Sequence, residues 1–319
     1  MNPAPLVIVH PSQDLLSRGV ASRLITHLVE RQSLPAPTGA AGEATFASGG
    51  QSAGGLGGTS SGFGGAGSLP SQSPPAAPST GLPALHISVT GGGLGQSIWP
   101  DLVSHPAAAA VDWSRVHVWF SDERFVAQGD ADRNDRAALA AITALGLPPA
   151  QVHSVAGPNV VPDVEAAATA YARELAAWSD RAEQSAAPPP ANAHELPAPS
   201  EPADQTAGVA APLFVVTILG LGPDGHVASL FPGRHAGVGP ATTLAVTDSA
   251  KPPPQRVSFT RSLLNHCEEL WLIAAGPDKA TAVSRALHDD DPDRTPAAGL
   301  RGRRRTLWLV DAALAARLS

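Results

Sequence analysis

The sequence predicts an α/β fold: a doubly wound, mostly parallel sheet with helices on both faces, forming one domain that spans 1–319. Three observations carry this expectation. Short apolar or β-branched runs alternate along the chain with Ala/Leu/Arg-rich stretches of helical period. The apolar runs are nearly continuous instead of alternating, as strands covered on both faces require. Of the 31 glycines and 32 prolines, about 20% of 319 residues, fourteen glycines and thirteen prolines fall in two tracts that interrupt an otherwise regular pattern.

In chain order, Leu6–His10 reads as a strand and Gln13–Arg31 as a helix whose apolar face is Leu16, Val20, Leu24, Ile25 and Leu28. Residues 32–83 form a Gly/Ser/Pro-rich insertion, expected to be disordered because few of its side chains can support a core. Leu85–Thr90 is a strand that runs into Gly91-Gly92-Gly93 and a short helical stretch from Leu94. Val116–Ser121 is the next strand, followed by a helix at Asp132–Leu145 and another at Val164–Arg181, announced by Asp163 as a cap. The second insertion, 182–211, is rich in Pro and Ala and is likewise expected to be disordered. Strands follow at Leu213–Leu219, Leu270–Ala275 and Thr306–Val310, with helices at Pro277–Leu287 and Asp311–Leu318. Strand–helix alternation of this kind implies a Rossmann-like arrangement. Both insertions connect a helix to a strand, away from the strands' carboxyl ends where such folds bind ligands.

Charge and composition exclude several classes. The chain carries 21 basic and 28 acidic residues. With the two tracts set aside, 237 residues keep 21 basic and 23 acidic groups, so no basic field marks a nucleic-acid binder. No apolar run approaches the ~18 residues that span a bilayer. The single Cys267 excludes an intrachain disulfide framework, and no His/Asp/Glu cluster has metal-ligand spacing. A cytoplasmic protein without metal, nucleotide cofactor, nucleic-acid partner or membrane contact is expected, as a monomer or homodimer.

Four segments carry chemistry. Gly91-Gly92-Gly93 is either a tight turn or a backbone cradle for an anion, being neither GxGxxG nor a Walker A. Asp122-Glu123-Arg124 begins where a strand ends; Arg124 offers a planar donor fork, and Asp122 and Glu123 either orient it or accept from sugar hydroxyls, unless the triplet only caps the strand. The third segment runs from Leu219 to Gly233 and places Asp224 and His226 directly after strand-end glycines. Imidazole titrates near neutrality, so His226 can take a proton from water and return it, with Asp224 as a candidate for fixing its tautomer. Most other histidines, including His27, His105 and His288, are expected to be surface or core residues. The fourth comprises Lys251-Pro252-Pro253-Pro254-Gln255-Arg256 and Gly276-Pro277-Asp278-Lys279, which contain the only two lysines beside nineteen arginines.

Together these segments resemble the 6-phosphogluconolactonase family. Thr90-Gly91-Gly92-Gly93 matches its glycine turn, Asp122-Glu123-Arg124 its Asp-Glu-Arg signature, and Asn134 its downstream asparagine. Gly222 to Pro232 contains the whole Gly-x-Asp-Gly-His-x-Ala-Ser-Leu-Phe-Pro signature, and the Lys-Pro-Pro-x-Arg stretch matches with one extra proline. The family's turn often reads Ser-Gly-Gly-Ser, so Gly93 leaves only a backbone role there, and the insertions are atypical. The resemblance implies hydrolysis of 6-phospho-D-glucono-1,5-lactone without a cofactor. It also implies His226 as general base, Asp224 as its assistant, and Arg124 with the Gly91–Gly93 backbone on the sugar or developing oxyanion. Arg256, Lys279 and Lys251 would hold the phosphate. Glucosamine-6-phosphate deaminases are the nearest rival, but they carry a glutamate shortly after the histidine and read Asp-Glu-Tyr where Asp122-Glu123-Arg124 stands. A non-catalytic sugar-phosphate binder and a proline-tract scaffold are weaker alternatives.

Overall fold

The structure is a computed structural model that describes residues 4–34, 83–185, 208–234, 239–288 and 291–318. The two expected insertions fall mostly outside the described residues. In chain order the elements are β1 (Leu6–His10), α1 (Gln13–Ser33), β2 (Leu85–Val89), α2 (Gly92–Ser104), β3 (Val116–Phe120), β4 (Asp122–Arg124), α3 (Arg136–Leu145), β5 (Val152–His153) and α4 (Val164–Ser185). They continue with β6 (Phe214–Gly220), β7 (Thr243–Val246), β8 (Arg256–Phe259), α5 (Arg261–Leu264), β9 (Cys267–Ala274), α6 (Ala280–His288), β10 (Arg305–Asp311) and α7 (Ala312–Ala315).

Seven strands form one parallel sheet in the order β1-β10-β9-β6-β2-β3-β5. Apart from the edge strand β1, where Leu6, Val7 and Val9 are exposed, its strands are buried on both faces, with alternate residues feeding two cores. On β9, Leu270 and Leu272 face one core while Trp271 and Ile273 face the other; on β10, Trp308 and Val310 oppose Leu307 and Leu309. The first core is closed by α4 and α6, the second by α1, α2 and α3. Helix starts follow their capping chemistry: the Ser12 hydroxyl accepts from Leu15 N–H at 3.2 Å, and the Asp311 carboxylate accepts from Leu314 N–H at 2.9 Å.

The chain winds outward from β2 through β3 to β5, then returns to β6 and winds the other way through β9 to β10. Strands β2 and β6 are neighbours, so their following loops diverge and open a crevice at their carboxyl ends. That crevice holds the candidate site.

The antiparallel sheet β4-β8-β7 was not expected. The strand at Val116 stops at Phe120, and Asp122-Glu123-Arg124 forms β4, paired with β8 as Asp122↔Ser258, Glu123↔Val257 and Arg124↔Arg256. A three-residue charged strand has no periodic signature, and its partner lies over 130 positions away. Helix α3 also begins later than Asp132, because residues 132–135 are drawn into the site.

Tyr171 on α4 anchors the end of β3 just past the point where β5 runs out. Its buried hydroxyl accepts from Phe120 N–H at 2.9 Å and donates toward the His153 carbonyl at 3.1 Å. Tyr171→Phe strips a buried N–H of its acceptor and is expected to cost about 1–3 kcal/mol in urea unfolding. An unchanged midpoint and slope would show that the hydroxyl contributes nothing.

Candidate active site

As β6 ends at Gly220, residues 221–225 fold back tightly: Gly225 N–H donates to Gly222 O at 3.0 Å and Gly222 N–H to His226 O at 2.9 Å. The turn brings His226 Nδ1 to 2.5 Å from Asp224 Oδ1, which also accepts from His226 N–H at 3.3 Å. With Nδ1–H donating to the carboxylate, Nε2 carries the lone pair. The ring lies over Gly222, where a Cβ would fall well inside 3.0 Å of its Cε1 and Nδ1. Burial holds the His226 pKa below the ordinary imidazole value, and Lys251 adds to this against the pull of Asp224. Burial acts to raise the Asp224 carboxyl, but the bond and charge of His226 hold it below its usual range. The pair is thus a neutral imidazole beside a carboxylate at neutral pH.

Across the crevice, Gly91 caps α2 without any side-chain hydrogen bond, so the amides of the first turn are left for another acceptor. Gly91 is also required sterically, since a Cβ there would meet Asn134 Oδ1. Asn134 Nδ2 donates to the Asp122 carbonyl at 2.7 Å and to Asp122 Oδ1 at 3.2 Å.

The Asp-Glu-Arg triplet divides in role. Arg124 lines the crevice, with Nη1 donating to the Asp132 carbonyl. Asp122 lines it too, but its residue is only 5% exposed and Oδ2 accepts from Ser229 Oγ at 2.8 Å. Glu123, expected to bind substrate, does not reach the crevice. It is fully buried, and its carboxylate accepts from the backbone N–H groups of Arg124, Asn134 and Asp135 at 2.8, 2.7 and 3.0 Å. Burial pushes its pKa up to about 7 against the pull of Arg133. Glu123 therefore shapes the 133–135 turn from behind.

Arg256 is corrected in part. Its Nε donates to Pro253 O at 3.1 Å and its Nη2 to Lys251 O and Pro252 O at 3.0 and 3.1 Å. Three of its five N–H donors are spent on the loop that carries Lys251; only Nη1 remains for the crevice. Lys251 and Lys279 line the same wall. Burial lowers the Lys279 pKa, and the charge of Lys251 lowers it further, while Asp278 and Asp311 oppose them.

One cleft of about 390 Å³ is lined by Gly91, Gly92, Gly93, Asp122, Arg124, Asn134, His226, Lys251, Arg256 and Lys279. The expected residues thus converge, apart from Glu123, and Asp224, which backs His226. Ser229, Arg133 and Asp135 were missed. Arg133 is fully buried and holds Asp135 at 2.7 Å; a polar Arg-Asn-Asp run placed ahead of a helix was the available signal. Among the described residues no His/Cys/Asp/Glu group is gathered as a metal-ligand set, and no helix is long and apolar enough to cross a membrane.

This chain matches the family described as "Glucosamine-6-phosphate isomerases/6-phosphogluconolactonase" over residues 82–308, which contain every cleft residue above. The chain belongs to that family. Within the glucosamine-6-phosphate isomerase/6-phosphogluconolactonase family it is 36% identical over 323 residues to a 6-phosphogluconolactonase of Streptomyces coelicolor, covering 100% of this chain and 96% of the relative. It is 39% identical over 236 residues to a 6-phosphogluconolactonase of Mycobacterium tuberculosis, covering 73% of this chain and 84% of that one. The solved structure of 6-phosphogluconolactonase from Trypanosoma brucei superposes with a TM-score of 0.66 at 21% identity, covering 99% of both chains, and shows the shared fold.

Proposed function

We propose that this protein is a 6-phosphogluconolactonase, a lactone hydrolase that converts 6-phospho-D-glucono-1,5-lactone to 6-phospho-D-gluconate in the oxidative pentose phosphate pathway. The full-length similarity to the Streptomyces coelicolor enzyme supports the activity. The observation that carries the chemistry is the His226–Asp224 pair facing, in one cleft, the only two lysines of the chain.

The phosphate sits against Lys251 and Lys279, with Nη1 of Arg256, which also stands 3.9 Å from Asp122 Oδ2. His226 Nε2 takes a proton from water as the oxygen attacks the lactone carbonyl carbon. Negative charge develops on the carbonyl oxygen and is met by the uncapped amides of α2 and by Arg124. As the bond to the ring oxygen breaks, the imidazolium returns its proton to that oxygen, and the new carboxylic acid ionises. Asp224 holds the ring and balances its transient charge. All these groups belong to one chain, so the scheme needs no second subunit, and the single, buried Cys267 accords with a cytoplasmic location.

The test is lactone hydrolysis with the spontaneous opening subtracted, run beside an ammonia-release assay on glucosamine 6-phosphate. Hydrolysis above the blank and no ammonia is expected; ammonia release, or no acceleration, overturns the reading. Because the pKa of His226 lies below the ordinary imidazole value, the acid limb of kcat/KM is expected below about pH 6.5. The enzyme loses activity as pH falls through the pKa of His226, since the base is then protonated. A limb above pH 7 would contradict a buried, neutral base.

A further inference from the structure

Three parts of the cleft must keep their mutual placement for this reaction: the base loop, the glycine turn and the lysine loop. All three lead back to one side chain. We propose that Asp122 is a positioning residue, a single carboxylate that sets the base loop, the glycine turn and the lysine loop against one another. Its kinetic consequences rest on the lactonase reading; its geometry does not.

The first branch runs from Asp122 Oδ2 to Ser229 Oγ at 2.8 Å, three residues beyond His226. Ser229 N–H in turn donates to Ser258 Oγ at 3.2 Å, on the strand that pairs with β4. Between His226 and Ser229 lies Ala228 at φ 48°, a conformation rare for a side chain that is neither Gly nor Asn. Such a link persists only when its flanks are fixed, and Ser229 fixes the downstream one. The second branch runs from Asp122 Oδ1 to Asn134 Nδ2 at 3.2 Å, and Asn134 abuts Gly91 so closely that no side chain fits there. The third is electrostatic: Asp122 Oδ2 stands 3.9 Å from Arg256 Nη1, while the rest of that guanidinium grips the carbonyls of 251–253. Asp122 itself is held by its antiparallel pairing with Ser258, two residues from Arg256.

A residue that bound substrate directly would behave differently, because its partners would then be bystanders. Asp122→Asn keeps an acceptor for Asn134 and a hydrogen-bonding partner for the Ser229 hydroxyl but loses the charge facing Arg256. Asp122→Leu loses all three side-chain branches, leaving Asn134 only its 2.7 Å bond to the backbone carbonyl of 122, and Ser229→Ala loses only the first.

The experiment measures kcat, KM, 6-phosphogluconate affinity by calorimetry and the His226 titration by NMR in these variants and in Asp122→Leu/Ser229→Ala. Ser229→Ala is expected to lower kcat about tenfold with KM nearly unchanged, through misplacement of the base. It should also move the His226 midpoint up, toward the ordinary value, as water reaches the loosened ring. Asp122→Asn should raise KM and weaken 6-phosphogluconate binding several-fold while keeping most of kcat. The double variant should be no worse than Asp122→Leu, because both changes break the same link. Wild-type kinetics in Ser229→Ala, or additive losses in the double variant, overturn the proposal. If the Asp122→Leu chains fail to fold, Ser229→Ala and Asp122→Asn still decide it through their opposite effects on kcat and KM. A wild-type enzyme no faster than the blank would instead overturn the lactonase reading, and the His226 midpoint in Ser229→Ala would then judge the positioning role: unmoved, it fails.

Discussion

His226→Ala is expected to lower kcat for lactone hydrolysis by roughly 10²–10⁴-fold, the usual worth of a positioned general base. That is about 3–5 kcal/mol of transition-state stabilisation. KM should change little, because the proposed phosphate contacts, Lys251 and Lys279, are left in place in the cleft. The residual rate should still exceed the uncatalysed one, since the α2 amides and Arg124 remain to receive the oxyanion. The measurement is steady-state hydrolysis with the blank subtracted at each pH. Alanine also removes the titrating group, so the acid limb should vanish with the rate. A variant that keeps the wild-type kcat would remove His226 from the mechanism.

The second large effect comes from a residue with no chemistry of its own. A Cβ at position 222 would fall well inside 3.0 Å of the His226 ring, so Gly222→Ala forces the imidazole or its loop aside. A shift of about 1 Å between a base and its target costs on the order of 10²-fold. Gly222→Ala should therefore lose kcat nearly as His226→Ala does, while its fold and phosphate affinity persist. Circular dichroism and 6-phosphogluconate binding check the last two. A Gly222→Ala enzyme with close to wild-type turnover would mean that the ring does not work from the position it occupies here.

How much of this was legible beforehand depended on range. Strands such as Leu6–His10 and Thr306–Val310 declare themselves through local apolar runs, and the observed β1 and β10 match them within a residue at each end. The sequence left open whether Asp224 meets His226 or the substrate, because that depends on how tightly the 221–225 turn folds back, and the observed turn brings it to His226. Glu123 was misplaced for the opposite reason. A charged residue at a strand end points equally well into a crevice or behind it, and only the pairing of β4 with β8 decides which. Arg256 shows a third limit: its five donors are visible in the sequence, but their division between loop carbonyls and cleft is not. Ser229 went unnoticed because its partner Asp122 lies 107 positions away.

Lys251 and Lys279 face the same cleft and are the only lysines in the chain. For covalent labelling, the inventory of side-chain amines and the substrate site are therefore the same short inventory. An amine-acylating reagent finds, apart from the α-amino group, only two targets, and both line the cleft proposed to bind the sugar phosphate. Lys279, its pKa lowered chiefly by burial, presents more free amine at a given pH than an ordinary lysine. Incorporated label and lost turnover should consequently track one another, with 6-phosphogluconate protecting both together. In a protein with scattered lysines that correspondence would be buried under surface modification; here the arginine-rich composition of the rest of the chain leaves the active site as the one place where amine chemistry is concentrated.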